Sequence, residues 1–241
     1  MPNALARPGP QLVFAVAGAL VFVGSLLFFV ARYAWGMDGV PSGATIPAVL
    51  FNVVLFSVFA LHHSVFARAG AKDWVRRTWP PALERSVYVW IASLLFIGVC
   101  GLWQPVPGRW WEVEGAGRTV LLLGQLAAVV FILASARRLD VLELAGIAQV
   151  LDVREERERV APSLDTTGPY GLVRHPIYLG WLLFVWLAPT MNGTRVTFAI
   201  VSCFYLFVAV PFEERDLRRT FGEAYDVYSG KIRWRILPFF Y

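Results

Sequence analysis

Four long apolar runs constrain the fold of this chain more than any other feature of its sequence. They cover residues 11–33, 46–67, 86–103 and 118–136. A helix rises about 1.5 Å per residue, so runs of roughly twenty residues match the hydrocarbon core of a bilayer, which is about 30 Å thick. Charged residues make up only 16% of the chain, whereas soluble domains carry about 25%. We therefore predict four transmembrane helices.

A fifth apolar block is interrupted in its middle. Its two arms, residues 177–187 and 194–212, flank an Ala-Pro-Thr-Met-Asn-Gly segment that is typical of a turn. We predict a helical hairpin whose first arm is short for a full crossing. The predicted fold is thus an all-α integral membrane protein, with four transmembrane helices plus a C-terminal helical hairpin, in a single membrane domain of residues 1–241. The first run is longer than the core of a signal peptide, and we expect it to be retained.

Basic residues are distributed unevenly among the segments that join the apolar runs. The loop between the third and fourth runs holds only Arg109 and the border residue Arg118. The loop between the second and third runs is much richer and holds Arg68, Lys72, Arg76, Arg77 and Arg85. Lysine and arginine favour cytoplasmic loops, so we predict that both termini are cytoplasmic. The same bias explains the net charge of +5, and we predict no nucleic-acid partner.

Several polar residues lie at the ends of the apolar runs without a clear chemical signature. His62 and His63 are adjacent, so they point apart on a helix, and no third ligand has suitable spacing for a metal. We predict no metal site, and for this histidine pair an interface or substrate-pocket role is open. Arg138 and Gln149 are further polar residues near a predicted membrane exit. The chain has no phosphate-binding loop, zinc signature or serine-hydrolase motif.

The densest group of candidate functional residues lies directly before and within the first hairpin arm, at residues 168–180. Pro176 suits the first turn of a helix, where its missing N–H is not needed. The free N–H groups and the positive dipole end of such a helix favour an anionic group. Arg174, His175 and Tyr178 would lie around this end. The competing interpretation is a membrane-surface anchor, in which these side chains only reach toward the interface.

Two adjacent acidic residues, Glu213 and Glu214, end the second hairpin arm. Carboxylates at an apolar boundary are costly unless they are paired or bind a ligand. A hairpin returns the chain to the side it left, so this pair should meet Arg174 and His175. One interpretation is an Arg174–Glu214 ion pair that merely closes the hairpin. The other is a polar site for a zwitterionic, cationic ligand.

A third group follows the hairpin. Phe221, Tyr225 and Tyr228 share one face of a helix by their spacing. This face can belong to a functional site, and an amphipathic helix on the membrane surface explains the same spacing.

These motifs together resemble those of a known superfamily. The Arg-His-Pro-Ile-Tyr-Leu-Gly run at 174–180, the Glu213–Glu214 pair, the aromatic motif at 221–228 and Pro238 resemble the membrane methyltransferases that include isoprenylcysteine carboxyl methyltransferases and phospholipid methyltransferases. The segments 63–68, 80–88 and 143–150 make the chain most similar to the bacterial methanethiol S-methyltransferase and NnrU-like branch. The resemblance covers most of the chain from about residue 60 onward.

The resemblance implies S-adenosylmethionine as methyl donor, bound by a cytoplasmic segment within residues 137–241. It also implies a small-molecule or lipid acceptor and a multi-pass location, among membrane lipids, in a bacterial-type inner membrane. Arg174 matches the arginine near the reacting centre, and Glu214 is the second catalytic candidate. The residues expected to bind the donor are His175, Tyr178, Leu179, Gly180, Glu213, Glu214, Tyr170 and Gln149. The residues expected on the substrate side are His62, His63 and Arg138.

The acceptor and the reaction have alternatives at this stage. Methanethiol is the concrete expectation, and a prenylcysteine carboxylate or a phospholipid amine is the nearest alternative. Leu144-Ala145 and His62 depart from the pattern expected in the thiol-methylating branch, and both concern the acceptor rather than the donor. A sterol-type reductase that uses NADPH is a weaker alternative, because Glu213 and Glu214 suit a cationic ligand better than a phosphate-rich one. A non-enzymatic NnrU-like membrane protein is a third, and the oligomeric state is not predicted.

Overall fold

The computed structural model describes residues 9–37, 39, 43–66, 68–155 and 163–241. Within these residues the chain forms ten α-helices and two short strands. They are α1 Pro10–Ala31, α2 Thr45–Phe66, α3 Ala69–Thr78, α4 Glu84–Leu102, β1 Arg109–Glu112, α5 Gly115–Ala136, α6 Val141–Leu144, α7 Ile147–Arg154, α8 Pro176–Trp186, β2 Thr190–Asn192, α9 Gly193–Phe221 and α10 Glu223–Lys231. Single turns of other helix types lie at Arg32–Gly36, Pro81–Leu83 and Gly168–Gly171.

Five helical segments of the described chain are long and apolar enough to cross a membrane. These are Pro10–Gly36, Thr45–Phe66, Pro81–Leu102, Gly115–Ala136 and Gly193–Phe221. The prediction of an all-α integral membrane protein is confirmed. Residue 67, the last of the second predicted span, lies outside the described residues.

Contacts divide the described residues into two compact units. The first unit is drawn from 1–32, 57–103 and 140–160, and the second from 33–56, 104–139 and 161–241. The candidate donor-binding residues fall in the second unit, with the exception of Gln149. The prediction of a single membrane domain stays a prediction.

The first unit is organised around the packing of α1 on α4. Gly18 makes this approach possible, because a Cβ there would lie 2.8 Å from the indole nitrogen of Trp90. That nitrogen donates a hydrogen bond to the carbonyl oxygen of Phe14, at 3.0 Å. A small apolar cluster completes the unit and consists of Ala15, Ala82, Leu83 and Val150.

The second unit is organised around the packing of α5 on α8. The helix α8 has 11 residues and so extends about 16 Å, roughly half of the bilayer core. The predicted short first arm of the hairpin is therefore present. Gln125 of α5 donates a hydrogen bond from its amide to the carbonyl oxygen of Phe184 in α8, at 2.8 Å.

The predicted turn between the hairpin arms differs from expectation, because part of it is strand β2. This strand pairs antiparallel with β1. The pairing satisfies backbone groups that would otherwise be exposed at the end of an apolar hairpin. Gly193 is required here, since a Cβ would lie 2.1 Å from the carbonyl oxygen of Pro107.

The second arm is longer than predicted, because α9 continues to Phe221 and not to residue 212. Pro211 lies inside the helix, although proline cannot donate a backbone hydrogen bond within a helix. The residues beyond it are mainly Glu, Arg and Leu, which are good helix formers, so the helix continues as a polar extension. Glu213 and Glu214 are consequently held on a helix rather than on a loop.

Candidate active site

The backbone at the start of α8 is held by the C-terminal tail, residues 232–241. The N–H of Arg174 donates to the carbonyl oxygen of Trp234 at 2.9 Å, and the N–H of His175 donates to that of Arg235 at 2.8 Å. The Arg174 side chain also donates through Nη2 to the carbonyl oxygen of Arg233, at 3.3 Å. The tail therefore positions both residues before any side-chain interaction is considered.

Glu214 is the centre of a buried ionic network. Its side chain is only 1% exposed, and its Oε1 lies 3.1 Å from Nη1 of Arg174, which is 9% exposed. Its Oε2 lies 3.3 Å from Nε of Arg235, and Oε1 lies 3.6 Å from Nε2 of His175. The predicted meeting of the two hairpin arms is present. A carboxylate buried among two guanidinium groups is favourable only while both partners remain.

Glu213 has a different environment from its neighbour. Its side chain is 43% exposed. The Tyr178 hydroxyl donates to its Oε2 at 2.6 Å, and Nδ1 of His175 lies 3.5 Å from the same oxygen. The His175 and Tyr178 rings are stacked with centroids 5.3 Å apart. Glu213 is therefore the carboxylate of this site that a solvent-borne ligand can reach.

Three tyrosines border the ionic network from α10 and from the turn before α8. Tyr225 and Tyr228 are buried, and the Tyr228 hydroxyl donates to the carbonyl oxygen of Tyr170 at 2.8 Å. Burial raises the pKa of Tyr225 to about 12, and the Glu214 charge adds to this rise. Burial, together with the Glu213 charge, raises the pKa of Tyr170 to about 12. These phenols are therefore protonated at neutral pH and do not act as bases.

Several polar atoms of the site are buried without a hydrogen bond of ordinary geometry to the described residues. They are Nε of Arg174, Nε2 of His175, both carboxylate oxygens of Glu214 and the hydroxyl of Tyr225. Buried polar atoms in proteins are normally hydrogen-bonded. The Glu214 oxygens are engaged by the ion pairs described above, so the atoms left for a polar ligand are Nε of Arg174, Nε2 of His175 and the Tyr225 hydroxyl.

The other two donor-binding candidates on α8 are packed inside the second unit. Leu179 is buried, and a Cβ on Gly180 would lie 2.4 Å from Cγ1 of Ile132 and 3.2 Å from the carbonyl oxygen of Ala128, both on α5. Gly180 thus allows α8 to approach α5 closely. Donor contact by Leu179 and Gly180 stays a prediction.

Arg138 lies at the edge of the turn that leads to the site. Its Nη1 is 3.7 Å from Oδ2 of Asp165, and a Cβ on Gly168 would lie 3.3 Å from its Nη2. The hydroxyl and the backbone N–H of Thr167, followed by Arg138, lower the pKa of Asp165. Arg138 therefore organises the segment before Tyr170, and its substrate role stays a prediction.

The remaining candidates, His62, His63 and Gln149, lie in the first unit. The Tyr88 hydroxyl and Nδ1 of His63 are 2.7 Å apart, and the rings of His62 and Tyr88 are stacked with centroids 5.7 Å apart. Gln149 donates from its side-chain amide to the carbonyl oxygen of Glu143, at 3.2 Å. Their predicted substrate and donor roles are not tested by these contacts.

Sequence reasoning missed one member of the site. Arg235 is not among the site residues expected from the sequence, yet it is the second guanidinium on Glu214. A signal existed, because Arg233 and Arg235 alternate with Trp234 and Ile236, as expected of an extended segment with one polar face. The alternation does not, however, identify Glu214 as the residue that this polar face contacts.

The fold and this network define an integral membrane protein whose ionised residues meet at the start of the short helix α8, on the long helix α9 and on the C-terminal tail. No protein-family model matches the chain, and no solved structure does so either. It is 34% identical to methanethiol S-methyltransferase 1 of Bradyrhizobium diazoefficiens over 227 residues, which are 91% of the chain and 79% of that protein. It is 36% identical to the methanethiol S-methyltransferase of Mycobacterium tuberculosis over 92% of the chain and 90% of that protein. The chain therefore belongs to the methanethiol S-methyltransferase family and is a membrane methyltransferase.

A more distant similarity links the chain to an animal protein. It is 27% identical to Nurim of Rattus norvegicus over 199 residues, which are 78% of the chain and 74% of that protein.

Proposed function

We propose that this enzyme transfers the methyl group of S-adenosylmethionine to methanethiol and forms dimethyl sulfide, with S-adenosylhomocysteine as the leaving group and the thiol proton released to solvent. The acceptor is taken from the names of the relatives, which are methanethiol S-methyltransferases. The observation that carries the donor is the half-exposed carboxylate of Glu213 beside the N-terminus of α8 and the buried Arg174.

The residues of the site fit the charges of this donor. Its amino-acid part is a zwitterion, so it needs an anion for the ammonium group and a positive partner for the carboxylate. Glu213 supplies the anion. The N-terminal end of α8 and His175 supply the partner for the carboxylate, because a helix N-terminus favours negative charge. The buried Nε2 of His175 and hydroxyl of Tyr225, which lack hydrogen bonds to the described residues, add polar groups for a ligand.

The two glutamates have different roles in this proposal. Glu214 is already bound by Arg174 and Arg235 and is 1% exposed, so we assign it to positioning Arg174 rather than to contact with the donor. Glu213 takes the donor ammonium. This division refines the expectation from sequence, in which either glutamate could bind the donor.

Arg174 is the proposed catalytic residue. When bound, S-adenosylmethionine supplies a methyl group on a positively charged sulfur, which a thiolate can attack without covalent help from the protein. The thiolate is the reactive form of a thiol, so a fixed positive charge beside the acceptor favours its formation. Arg174 is anchored by Glu214 through Nη1 and by the Arg233 carbonyl through Nη2. Its buried Nε makes no hydrogen bond to the described residues and is the donor left for the thiolate.

The proposed location is the inner membrane of a bacterium, with both termini and the site on the cytoplasmic side. The uneven distribution of Lys and Arg among the loops supports this orientation.

The role of Glu213 is tested by a Glu213→Gln variant. A hydrogen bond to a charged group contributes about 1.5–3 kcal/mol, so we expect roughly ten- to hundredfold weaker S-adenosylmethionine binding in calorimetric titration. Glu223→Gln is the matched control, because Glu223 is an exposed residue of the neighbouring α10. Equal affinity of the Glu213→Gln variant and the wild type would remove Glu213 from the donor site.

The acceptor is tested by supplying donor labelled in its methyl group to purified protein. Methanethiol, a prenylcysteine and a phosphatidylethanolamine are offered in parallel. We expect label in volatile dimethyl sulfide and none in the other two products. Label found only on the prenylcysteine carboxylate or on the phosphatidylethanolamine amine would show that methanethiol is not the acceptor. Binding of NADPH without binding of S-adenosylmethionine would show that the protein is not a methyltransferase that uses this donor.

A further inference from the structure

The C-terminal tail folds back on itself in a tight turn. The carbonyl oxygen of Tyr241 accepts hydrogen bonds from the N–H groups of Arg235, Ile236 and Leu237, at 2.8, 2.9 and 3.1 Å. Within this turn Phe239 has a φ of 66°, in the left-handed region that residues other than glycine rarely adopt. Such a conformation persists only where the surrounding structure imposes it. The turn at 237–241 is therefore a defined structure and not a loose end.

The turn lies beside the apolar part of α9. The rings of Tyr241 and Phe207 are in contact, with centroids 5.4 Å apart. Phe207 precedes Glu213 by six residues, which is about 9 Å along a helix. It belongs to the apolar run of α9, in a segment long and apolar enough to cross a membrane. The Tyr241 ring therefore lies between the apolar run of α9 and the guanidinium of Arg235, which is 5.1 Å from the ring centroid. The turn is thus at the boundary between the apolar part of α9 and its charged end.

Two phenylalanine rings project from this turn. Phe239 is 86% exposed and Phe240 is 88% exposed, the highest values among the exposed large apolar side chains of the described chain. Exposure of two adjacent apolar rings to water is unfavourable, because the free energy falls when apolar surface is removed from water. Beside the apolar part of α9, their natural surroundings are acyl chains.

The same tail holds the active site. The carbonyl oxygens of Trp234 and Arg235 accept the N–H groups of Arg174 and His175, and the side chain of Arg235 lies on Glu214. Only Ile236 separates Arg235 from the turn at 237–241. A force that fixes the turn therefore also fixes the backbone in front of α8 and one of the two guanidinium partners of Glu214.

We propose that the turn at 237–241 is a lipid anchor, and that insertion of Phe239 and Phe240 among the acyl chains keeps the tail closed on the active site. The occupant of this apolar surface is the bilayer itself. The proposal depends on the membrane location of the protein and not on the identity of donor or acceptor.

The lipid contact is tested with a nitroxide attached to a Phe240→Cys variant in lipid nanodiscs. The native cysteines, Cys100 and Cys203, are buried, so labelling is directed to the new thiol. We expect the label to be more accessible to dissolved oxygen than to a water-soluble nickel complex. Greater access to the nickel complex would overturn the proposal, and so would dipolar broadening that reveals a second copy of the chain against this surface.

The link to the site is tested by amide hydrogen exchange of the peptide that contains Arg174 and His175. In nanodiscs we expect exchange at least tenfold faster in a Phe239→Ser/Phe240→Ser variant than in the wild type. A Phe239→Leu/Phe240→Leu variant, which stays apolar, should retain wild-type protection. Trp35→Ser removes another exposed aromatic residue of the second unit and should leave this peptide unchanged.

Unchanged protection in the double serine variant would overturn the link between the anchor and the site. Exchange of α5 peptides in the same sample shows whether the variant is folded. This readout needs neither donor nor acceptor, so it separates a failure of the anchor from a failure of the proposed reaction.

Discussion

At the scale of single residues, burial gives two adjacent glutamates different functions. Glu213 and Glu214 follow one another on α9, and one turns toward solvent while the other is enclosed by Arg174, Arg235 and His175. A buried carboxylate with fixed cationic partners has a structural role. A half-exposed carboxylate can exchange its solvent contacts for contacts with a ligand.

The structural role of Glu214 predicts a large loss of stability on neutralisation. Removing one partner of a buried ion pair costs about 3–5 kcal/mol, because the remaining charges are left uncompensated. We expect Glu214→Gln to lower the free energy of unfolding by that order in detergent micelles. The control is Asp216→Asn, which removes an exposed pair with Arg219 and should change stability by less than about 1 kcal/mol. Equal stability of the two variants would contradict the role given to Glu214.

The raised pKa of Tyr225 predicts a loss of stability in alkaline solution. Its pKa is about 12 in the folded protein and about 10 in an unfolded chain. The stabilising effect is complete below pH 10 and is lost as the pH rises toward 12, because the unfolded chain releases its proton first. We expect the melting temperature of Tyr225→Phe to fall less steeply over this interval than that of the wild type. Parallel curves would show that Tyr225 does not titrate as described.

At the scale of elements, the approach of α8 to α5 decides where the active site can form. Arg174 and His175 directly precede α8, and the second turn of α8 packs against Ile132 and Ala128 through Gly180. A side chain at position 180 would move α8 away from α5 and displace the residues that precede it.

Gly180→Ala is therefore expected to destabilise the protein by about 1–3 kcal/mol, the usual cost of inserting a methyl group into a packed contact. Thermal melting measures the loss. A second change, Ile132→Ala, should recover part of it by removing the nearest atom. Gly230→Ala is the matched control, because a Cβ there meets nothing within 4 Å and should stabilise α10 by a few tenths of a kcal/mol.

The long helices could be predicted from the sequence because lipid demands about twenty consecutive apolar residues. The same reasoning placed the short α8. It failed for the end of α9, where polar residues continue a helix beyond the apolar run, and for the pairing of β1 with β2. Hydropathy contains no information on either, since the end of α9 depends on the helix propensity of polar residues and the strand pairing depends on hydrogen bonds between segments distant in sequence.

The candidate site was partly predictable for a different reason. A hairpin brings its two ends together, so the contact between Arg174 and Glu214 follows from chain geometry alone. Arg235 could not be placed, because the route of the tail is determined by the carbonyl groups that it offers to Arg174 and His175. The unequal burial of Glu213 and Glu214 could not be predicted either, because the sequence shows only that the two residues are adjacent.

At the scale of the whole molecule, the proposed orientation is open to a direct chemical test. Trp110 lies in the segment predicted to be outside and is 68% exposed, whereas Asp73 lies in a segment predicted to be cytoplasmic. The native cysteines are buried and give little background. We expect a membrane-impermeant maleimide to label Trp110→Cys in spheroplasts and Asp73→Cys only after lysis. The reverse result would invert the orientation.

Arg195 has a consequence for how the protein is made. It is 4% exposed, and its guanidinium donates to the carbonyl oxygens of Tyr33, Ala34 and Thr190 at 3.1, 3.2 and 3.1 Å. Two of these acceptors belong to the first helical segment, which leaves the ribosome more than 150 residues earlier. The acceptors are thus already in the bilayer when Arg195 emerges. The last hairpin can therefore insert into a bilayer that already contains two of the carbonyl oxygens that bind the Arg195 guanidinium. An N-terminal truncation that removes Tyr33 and Ala34 would leave this guanidinium without those two acceptors.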